Sequence, residues 1–443
     1  MLVLKFGGTS VGSAKNIQKV VQIIAAIHEP KIVVLSAVSG TTNTLLEICS
    51  QLKNNLKDNA LLNVHQLHNR YLDLINDLYK TALYKGRARS FLTIQFNKLI
   101  SLIKETEAAT IDNIIVAQGE ILSTNLVQLY LNESAISSNL ISAFDFMQVD
   151  ENGEPEIELL SEKIRPILAQ NPNKNLWITQ GFICKNTFGE IDNLQRGGSD
   201  YTASLIAAAI DAKEVQIWTD IDGMHNNDPR YVENTFSIEE ISFDEAAELA
   251  YFGAKILHPQ SLIPAKERNI PVLLKNTFNP QQKGTVIKNK TVQNGVTAIA
   301  AKDGITAIKI KSYRMLLAYG FLKNIFEVFE KYQTPIDMIT TSEVAVSLTI
   351  DNTSFLSEIE KELQQFGKVE IDTQLSIVCV AGDFSQNKEG ISATVFNALR
   401  EIPIRMISYG GSNYNVSLLV KTIDKVAALN SLNEELFVEN LCL

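Results

Sequence analysis

Near its beginning the chain places one lysine two positions before a run of glycines and hydroxyls. Lys5 lies within a short apolar segment, and residues 7–12 read GGTSVG. Glycine lets backbone N–H groups come close to phosphate oxygens, and the start of a helix adds a partial positive charge. Lys5 adds a full positive charge beside them. The run predicts an anion site, although an ordinary strand-to-helix turn can hold the same glycines.

Further polar groups follow predicted strands or open predicted helices. Arg196 precedes two glycines at the start of an alanine-rich helix, which is a second anion site of the same design. The other members are Ser36, Thr42, Glu120, Ser199, Asp200, Thr219, Asp220, Asp228, Arg230 and Lys255. Hydroxyls, a few carboxylates and scattered cations suit phosphoryl transfer, which depends on positioning and charge neutralisation. Seen alone, residues 228–230 are equally an ordinary turn, and Lys255 a solvated lysine.

Short apolar runs alternate with helical patterns through the first two thirds of the chain. The predicted buried strands are residues 2–6, 31–35, 176–183 and 215–219. Residues 45–131 are predicted to be mostly helical, and a further strand is expected over 136–146. Strands separated by helices indicate a mostly parallel α/β sheet that helices cover on both faces. In such a sheet the polar turns converge at one edge, where ligands bind.

The last third of the chain contains an internal repeat. Residues 335–339 read PIDMI, and residues 403–407 read PIRMI. Each copy follows an amphipathic helical pattern and precedes an alternating strand pattern. The repeat predicts two β-helix-β-β units. Chance similarity of two short α/β pieces is the alternative, and the ordered recurrence of helix, motif and strand weighs against it.

Composition limits the class of protein. A chain of 443 residues is expected to form two or three domains. The net charge of -10 opposes broad binding to nucleic acid or to an acidic membrane but allows a small anionic ligand. We expect no membrane span and no leader peptide. The four cysteines are scattered, lack metal-ligand spacing and are expected to be idle thiols: Cys49, Cys184, Cys379 and Cys442.

The combination of motifs, in this order and spacing, resembles aspartate kinase over nearly the whole chain. The motifs are KFGGTS from Lys5, QGE from Gln118, RGGSDYTA from Arg196, TDIDG from Thr219, DPR from Asp228 and FGAKILHP from Phe252. The resemblance implies an α/β amino-acid-kinase fold over residues 1–295 and two ferredoxin-like ACT units over residues 296–443. By the family's pattern, the first unit covers about 313–374. It is inserted in the second, which covers about 300–312 plus 375–443.

Aspartate kinases transfer a phosphoryl group from ATP to the side-chain carboxylate of L-aspartate, giving 4-phospho-L-aspartate. This is the first step of lysine, threonine and methionine biosynthesis. A carboxylate is already ionised at neutral pH, so the reaction needs no general base. The resemblance implies that Lys5 stabilises the transferring phosphoryl group and that Asp200 orients Lys5.

The resemblance also implies the ligand contacts. Arg196 would pair with the substrate α-carboxylate and Glu120 with its α-ammonium. The remaining substrate contacts would be Ser36, Thr42, Gly197, Gly198 and Ser199. The nucleotide would contact Lys5, Gly7, Gly8, Thr9, Thr219, Asp220, His225, Arg230, Lys255 and Ile256. Mg²⁺ is expected to arrive with ATP, without direct protein ligands.

The repeat region resembles that of the lysine-sensitive, monofunctional members. The implied contacts of an inhibitory lysine are Met315, Phe321, Leu322, Asp337, Thr341, Ser342 and Glu343. The first copy alone suits a cation, because Arg405 stands in the second copy where the first has Asp337. The resemblance further implies a cytoplasmic homodimer or dimer of dimers formed through the ACT units.

Other functions stay open. A different amino-acid kinase of the same fold would accept glutamate or a carbamate, although Glu120 and Arg196 together favour an α-amino acid. A non-catalytic amino-acid sensor with the same fold is a further alternative, and it is opposed by the intact Lys5, Arg196, Asp200 and Lys255. The ACT units could also serve only as a dimer interface.

Overall fold

The computed structural model describes residues 1–105, 111–171, 174–194, 197–253, 257–289, 295–312, 319–384 and 390–437. The chain divides into two compact units. The first unit comprises Met1–Met224, Glu239–Phe243 and Leu257–Lys290, and the second comprises His225–Ile238, Asp244–Ile256 and Thr291–Leu443. The domain limits predicted at residues 295 and 296 stay a prediction.

The first unit is built on an eight-stranded sheet. Its strands are β1 (Leu2–Phe6), β2 (Lys31–Leu35), β3 (Asn139–Leu140), β4 (Leu176–Gln180), β7 (Glu214–Thr219), β8 (Glu240–Ser242), β9 (Val272–Asn276) and β10 (Thr285–Lys288). A separate hairpin pairs β5 (Ile183–Lys185) with β6 (Ile191–Asn193). The sheet order is β3-β4-β2-β1-β7-β9-β10-β8, parallel from β3 to β9. The predicted mostly parallel sheet is therefore present.

Helices supply the rest of this unit. They are α1 (Ala14–Ala26), α2 (Thr41–Lys53), α3 (Lys57–Leu78), α4 (Ala82–Glu105), α5 (Asp112–Glu133), α6 (Ile157–Ala169), α7 (Gly198–Ile210) and α9 (Pro259–Glu267). Ser13 caps α1 by accepting a hydrogen bond from the Asn16 N–H at 3.2 Å. Strands β1, β2 and β4 are buried along almost their whole length, as central strands of a covered parallel sheet must be.

The strand expected over 136–146 is wrong for most of its length. Residues 139 and 140 alone form β3, and a 3-10 turn follows at Ala143–Asp145. The Ala143 N–H donates to the side-chain oxygen of Gln180 at 2.9 Å, which turns the chain away from the sheet edge.

Buried apolar positions define the core of the first unit. Within the described residues, α5 is the one helix long and apolar enough to cross a membrane, and 61% of its most apolar window is buried inside the protein. Core helices commonly pass the same test.

Cys49, Cys184 and Cys379 are buried free thiols, and burial raises the pKa of Cys49 and Cys184 to about 12.

The second unit contains a six-stranded antiparallel sheet in the order β12-β13-β11-β14-β16-β15. These strands are β11 (Gly295–Lys311), β12 (Ile339–Thr341), β13 (Ala345–Ile350), β14 (Lys368–Asp383), β15 (Met406–Tyr409) and β16 (Asn415–Lys421). The helices are α8 (Phe243–Tyr251), α10 (Phe321–Lys331), α11 (Leu356–Leu363), α12 (Ile391–Ala398) and α13 (Lys425–Leu436). A 3-10 turn at Thr422–Asp424 precedes α13.

Two apolar cores lie along this sheet. One contains Ile308, Ile310 and the buried faces of α10 and α11. The other contains Ile299, Val378 and the buried faces of α12 and α13. Each sequence repeat therefore contributes to its own core, while β11 and β14 are long enough to reach both.

Candidate active site

The register of the central strands brings the polar turns together at one edge of the first unit's sheet. Phe6 at the end of β1 pairs with Leu35 of β2 and Trp218 of β7. The Ser36 N–H donates to the Phe6 carbonyl, and the Gly7 N–H donates to the Trp218 carbonyl, each at 3.2 Å. The turns after β1, β2 and β7 are consequently neighbours.

Lys5 and Asp200 form an ion pair in this region. Lys5 Nζ lies 2.6 Å from Asp200 Oδ1, and their side chains are 12% and 17% exposed. Asp200 belongs to the first turn of α7, where Gly197 and Gly198 adopt positive φ angles of 73° and 47°. A side chain would strain this backbone, so the two glycines permit the entry of the chain into α7.

A cavity of about 400 Å³ lies between the turns. Seven of its lining residues are predicted site residues: Gly8, Thr9, Ser36, Thr42, Glu120, Gly198 and Ser199. The Ser36 hydroxyl donates to the Ser199 hydroxyl oxygen at 2.9 Å, which joins the turn after β2 to the start of α7. Asp200 follows Ser199 directly, so the ion pair with Lys5 adjoins the cavity wall.

Glu120 brings a buried carboxylate to this cavity. The residue is 3% exposed, and its Oε1 accepts a hydrogen bond from the Ala37 N–H at 3.2 Å. Its Oε2 is buried and has no hydrogen-bond partner within the described residues. Burial raises the pKa of Glu120 to about 7. An unpaired buried carboxylate oxygen is costly, and a cationic ligand would relieve that cost.

Gly119 lets Glu120 reach the cavity. A Cβ at this position would lie 2.8 Å from the Ala37 side chain, so α5 can approach the turn after β2 only with glycine there. The sequence motif that contains Gly119 and Glu120 thus combines a close approach with the carboxylate that this approach positions.

Some lining residues were missed by the sequence reasoning. Ala37, Val38, Ser39, Gly40, Asn43 and Phe182 also line the cavity. Five of these six lie in the hydroxyl-rich segment that follows β2. The composition of this segment was the sequence signal by which they could have been identified. Arg70 of α3 holds it, since its Nη2 donates to the Ser39 carbonyl at 2.9 Å and to the Thr41 hydroxyl at 2.8 Å.

The predicted nucleotide residues divide between the two units. Thr219 closes β7 in the first unit, and its hydroxyl donates to Asp220 Oδ1 at 3.1 Å. His225 and Arg230 belong to the second unit. Partial burial raises the pKa of Asp228, but bonds from Arg230 outweigh it and hold that pKa below its ordinary value. Arg196, Lys255 and Ile256 lie outside the described residues.

Comparison with known proteins identifies the family. The amino acid kinase family model matches residues 1–276, and an ACT domain model matches residues 378–436. Lysine-sensitive aspartokinase 3 of Escherichia coli is 33% identical over 456 residues, which cover 99% of each chain. The chain belongs to the aspartokinase family. Aspartokinase 3, chloroplastic, of Arabidopsis thaliana is also 33% identical, over 99% of this chain and 82% of the relative.

Solved aspartokinase structures share the fold. The crystal structure of E. coli aspartokinase III in complex with aspartate and ADP has a TM-score of 0.86 at 33% identity, covering 99% of this chain and 100% of that chain. The same enzyme in complex with lysine and aspartate has a TM-score of 0.84, with 99% of each chain covered. The predicted fold class and the predicted aspartate kinase activity are confirmed.

The predicted effector residues of this aspartokinase lie around the first sequence repeat. Phe321 and Leu322 open α10 after Gly320, Thr341 ends β12, and Ser342 donates its N–H to the Ala345 carbonyl at 2.8 Å. Glu343 is exposed. Met315 lies outside the described residues.

Asp337 is the buried member of this set, with a side chain that is 2% exposed. Its Oδ1 accepts from Lys302 Nζ at 2.8 Å and from the Tyr251 hydroxyl at 3.0 Å. Its Oδ2 is buried and unpartnered within the described residues. Burial raises the pKa of Asp337, although the Lys302 ammonium acts against that change. One carboxylate oxygen is therefore satisfied internally, and the other is available to a ligand.

Proposed function

We propose that the aspartokinase reaction takes place at the cavity beside the Lys5–Asp200 ion pair, with L-aspartate as acceptor and ATP as donor. The observation that carries the proposal is this pair, 2.6 Å apart, next to a cavity that Glu120 lines. The products are 4-phospho-L-aspartate and ADP. The acceptor carboxylate needs no base, so the protein has mainly to position two anions and neutralise their repulsion.

Lys5 is proposed to neutralise the transferring phosphoryl group. Asp200 holds its ammonium at the edge of the glycine turn and does not act as a base. The backbone of Gly8 and Thr9 would offer N–H groups to the phosphates, and Gly7, whose own N–H donates to the Trp218 carbonyl, would let the chain approach them closely.

Glu120 is proposed to bind the substrate α-ammonium through its unpaired Oε2, and Arg196 to bind the α-carboxylate. The side-chain carboxylate would then lie near the hydroxyl groups of Ser36, Thr42 and Ser199, with the Gly197–Gly198 turn next to it. This arrangement favours an α-amino acid over a carbamate, because a carbamate has no ammonium for Glu120.

ATP is proposed to contact Thr219 and Asp220 in the first unit and His225, Arg230, Lys255 and Ile256 further along the chain. Mg²⁺ would enter on the phosphates and neutralise charge on the transferring group. The ion would be held by the phosphates, without direct protein ligands.

A hydroxamate assay with aspartate and glutamate as acceptors tests the substrate, and a coupled assay tests carbamate. We expect aspartate to be used far better than glutamate, and no carbamate turnover. Equal or better turnover of glutamate would overturn the substrate assignment. Absence of turnover with every acceptor would support a sensor in place of an enzyme.

Lys5→Ala tests the proposed phosphoryl contact. We expect kcat to fall at least about 10²-fold, which is typical when a charge partner of the transition state is removed. Lys213→Ala is the matched control, because Lys213 forms an exposed ion pair with Glu29 in the same unit. Unchanged kcat in Lys5→Ala would show that this lysine does not contact the phosphoryl group.

Feedback inhibition by lysine is the second part of the proposal. The supporting observation is the buried Oδ2 of Asp337, which has no partner in the part of the chain that the structure describes and suits an ammonium group. The second copy offers a cation at this position, since Arg405 pairs with Asp372 at 2.5 Å. Phe321, Leu322, Thr341, Ser342, Glu343 and Met315 would complete the effector site. Inhibition requires that lysine bind an inactive arrangement better than the active one.

A titration of activity against lysine and threonine tests the effector. Inhibition by threonine without inhibition by lysine would contradict the assignment.

Light scattering with and without lysine tests the proposed dimer or dimer of dimers formed through the ACT units. Cell fractionation tests the proposed cytoplasmic location.

A further inference from the structure

Residues 225–238 form a loop that closes on itself through Asn226. The Asn226 N–H donates to the Phe236 carbonyl at 3.0 Å, and the Phe236 N–H donates back to the Asn226 side-chain oxygen at 2.8 Å. The Asn226 carbonyl accepts from the Ile299 N–H of β11 at 2.8 Å. This loop carries His225 and Arg230. They are the two proposed nucleotide contacts of the second unit that lie among the described residues.

Asn433 of α13 is the buried centre of the contact between this loop and that helix. Its Oδ1 accepts from the side-chain amides of Asn226 at 3.0 Å and Asn227 at 3.3 Å. Its own amide donates to the Asn234 carbonyl at 3.2 Å. Asn226 is 0% exposed, and Asn227 and Asn433 are each 2% exposed. Buried amides must find partners, so this side chain strongly constrains the loop.

Other contacts along α13 support the same alignment. The Asn227 amide also donates to the Leu429 carbonyl at 3.1 Å. The Asn430 amide donates to the Tyr231 carbonyl at 3.3 Å, and Lys425 Nζ lies 4.0 Å from the centre of the Tyr231 ring. The helix therefore contacts the loop at several points on either side of residue 230.

A short chain of bonds joins Asn433 to Arg230. Asn433 fixes the Asn227 amide, and the Asn227 side-chain oxygen accepts from the Asp228 N–H at 2.9 Å. Asp228 in turn binds the guanidinium twice, Oδ1 to Nε at 2.9 Å and Oδ2 to Nη2 at 2.6 Å. The direction of the Arg230 side chain thus depends on an amide in the C-terminal helix.

We propose that Asn433 is a positioning residue for the nucleotide. It holds residues 226–234 in the conformation that presents Arg230, and so it sets the affinity for ATP and ADP. This inference rests on the proposed nucleotide role of Arg230. It assigns to the C-terminal helix of the regulatory region a part in substrate binding that is separate from the effector site.

The test is Asn433→Leu, which keeps the branched shape of the side chain, is somewhat larger and removes both bonding groups. We expect KM for ATP and the calorimetric Kd for ADP to rise about tenfold, as loss of one to two buried hydrogen bonds predicts. KM for aspartate should stay within about twofold. Equal increases in both KM values, or a lower melting temperature with unchanged KM for ATP, would reduce Asn433 to a structural residue.

Three further variants keep the test decisive. Asn433→Asp retains the acceptor for Asn226 and Asn227, so its KM for ATP should remain within about threefold of wild type. Asn433→Ala replaces the leucine variant if that variant does not fold, because it removes both bonding groups without adding bulk. Ile359→Ala removes volume from the other core of the sheet and controls for general loss of stability.

Arg230→Ala separates this inference from the proposal on which it rests. If Arg230→Ala leaves KM for ATP unchanged, the nucleotide assignment of the loop is wrong. If Arg230→Ala raises KM for ATP and Asn433→Leu does not, the assignment stands and the positioning role of Asn433 is overturned.

Discussion

Two buried carboxylates, one in each unit, differ in how the protein stabilises their negative charge. Glu120 in the proposed substrate cavity and Asp337 in the proposed effector region each have one bonded oxygen and one that is buried without a described partner. Among the described residues, the one hydrogen bond to the Glu120 carboxylate comes from the backbone N–H of Ala37. Asp337 already binds the Lys302 ammonium and the Tyr251 hydroxyl.

The difference concerns when each negative charge is compensated. No described residue supplies a cation to Glu120, and burial raises its pKa to about 7, within the physiological range. The charge of Asp337 is compensated inside the unit by Lys302, and a second ammonium would add to an existing network. Substrate affinity should therefore depend strongly on pH near neutrality, and effector affinity should depend on Lys302.

Glu120→Gln should give the largest effect. The amide keeps the shape and can still accept from Ala37, but it offers no negative charge to the substrate ammonium. We expect kcat/KM for aspartate to fall at least about 10²-fold, since buried charged hydrogen bonds are worth about 1.5 to 3 kcal/mol or more. Steady-state kinetics measures it, with Glu158→Gln as an exposed control in the same unit. A loss below about threefold would exclude Glu120 from the ammonium site.

Asp337→Asn should act on regulation alone. We expect the inhibition constant for lysine to rise by about 10- to 100-fold with kcat unchanged, because a charged hydrogen bond to the effector is lost. Inhibition curves at saturating substrates measure the effect. Asp372→Asn breaks the Arg405 pair of the second repeat and is the matched control. Equal rises in the inhibition constant for lysine in the two variants would show that the effector does not bind selectively at the first repeat.

The pH dependence of substrate affinity should follow the ionisation of Glu120. As the pH falls below about 7, the carboxyl takes up a proton, and kcat/KM for aspartate should fall by up to about tenfold per pH unit. The same profile for Glu120→Gln should lose this limb. A wild-type profile that stays flat between pH 6 and 8 would contradict the raised pKa.

The same ionisation affects stability with a definite sign. Glu120 titrates near 4.5 when unfolded and at about 7 when folded, so the folded state binds the proton more tightly. Its contribution to the free energy of unfolding therefore becomes more favourable as the pH falls from 7 to 4.5, and it is least favourable above 7. Melting curves should show that Glu120→Gln gains stability relative to wild type as the pH rises through this range.

Lys302→Met should give the smallest effect. It removes the cation that pairs with Asp337, so this carboxylate would resemble Glu120 in having no cationic partner among the described residues. In this variant the Lys302 ammonium no longer competes with the effector ammonium for Asp337, so lysine should inhibit a few-fold more strongly at pH 8. Inhibition should also become pH-dependent near neutrality. Lys311→Met, which breaks an exposed pair on the same strand, is the control. Weaker inhibition at every pH would mean that Lys302 supports the ligand and does not compete with it.

Local pattern was sufficient to predict the strands around Lys5 and Val33, the glycine turns and the two repeats, but not the extent of the strand expected over 136–146, where residues 139 and 140 alone pair. The unbroken apolar runs around Lys5 and Val33 are typical of central strands in a covered sheet, and the strand order then brings their polar turns to one edge. The motif spacing also predicted the pairing of Lys5 with Asp200, but through resemblance to a family and not through the physics of either segment.

Other features depend on contacts between distant segments, which no local pattern contains. Lys302 and Asp337 are far apart in sequence and meet only because of the way β11 and β13 pair. Arg70, in the middle of a long helix, gives no local sign that it holds the turn after β2. Asn433 is an ordinary polar residue of a helix until the loop around Asn226 folds against it.

The long pairing of β11 with β14 also has a consequence for folding order. Gly295 pairs with Asp383, so the intervening chain must close a large loop before the middle of the six-stranded sheet exists. Closing such a loop has an entropic cost, and contacts of high sequence separation form slowly. The first repeat lies inside that loop and can fold early, whereas β16 can pair only once β14 has returned. The second apolar core should therefore be the last part of this unit to gain protection from hydrogen exchange during refolding.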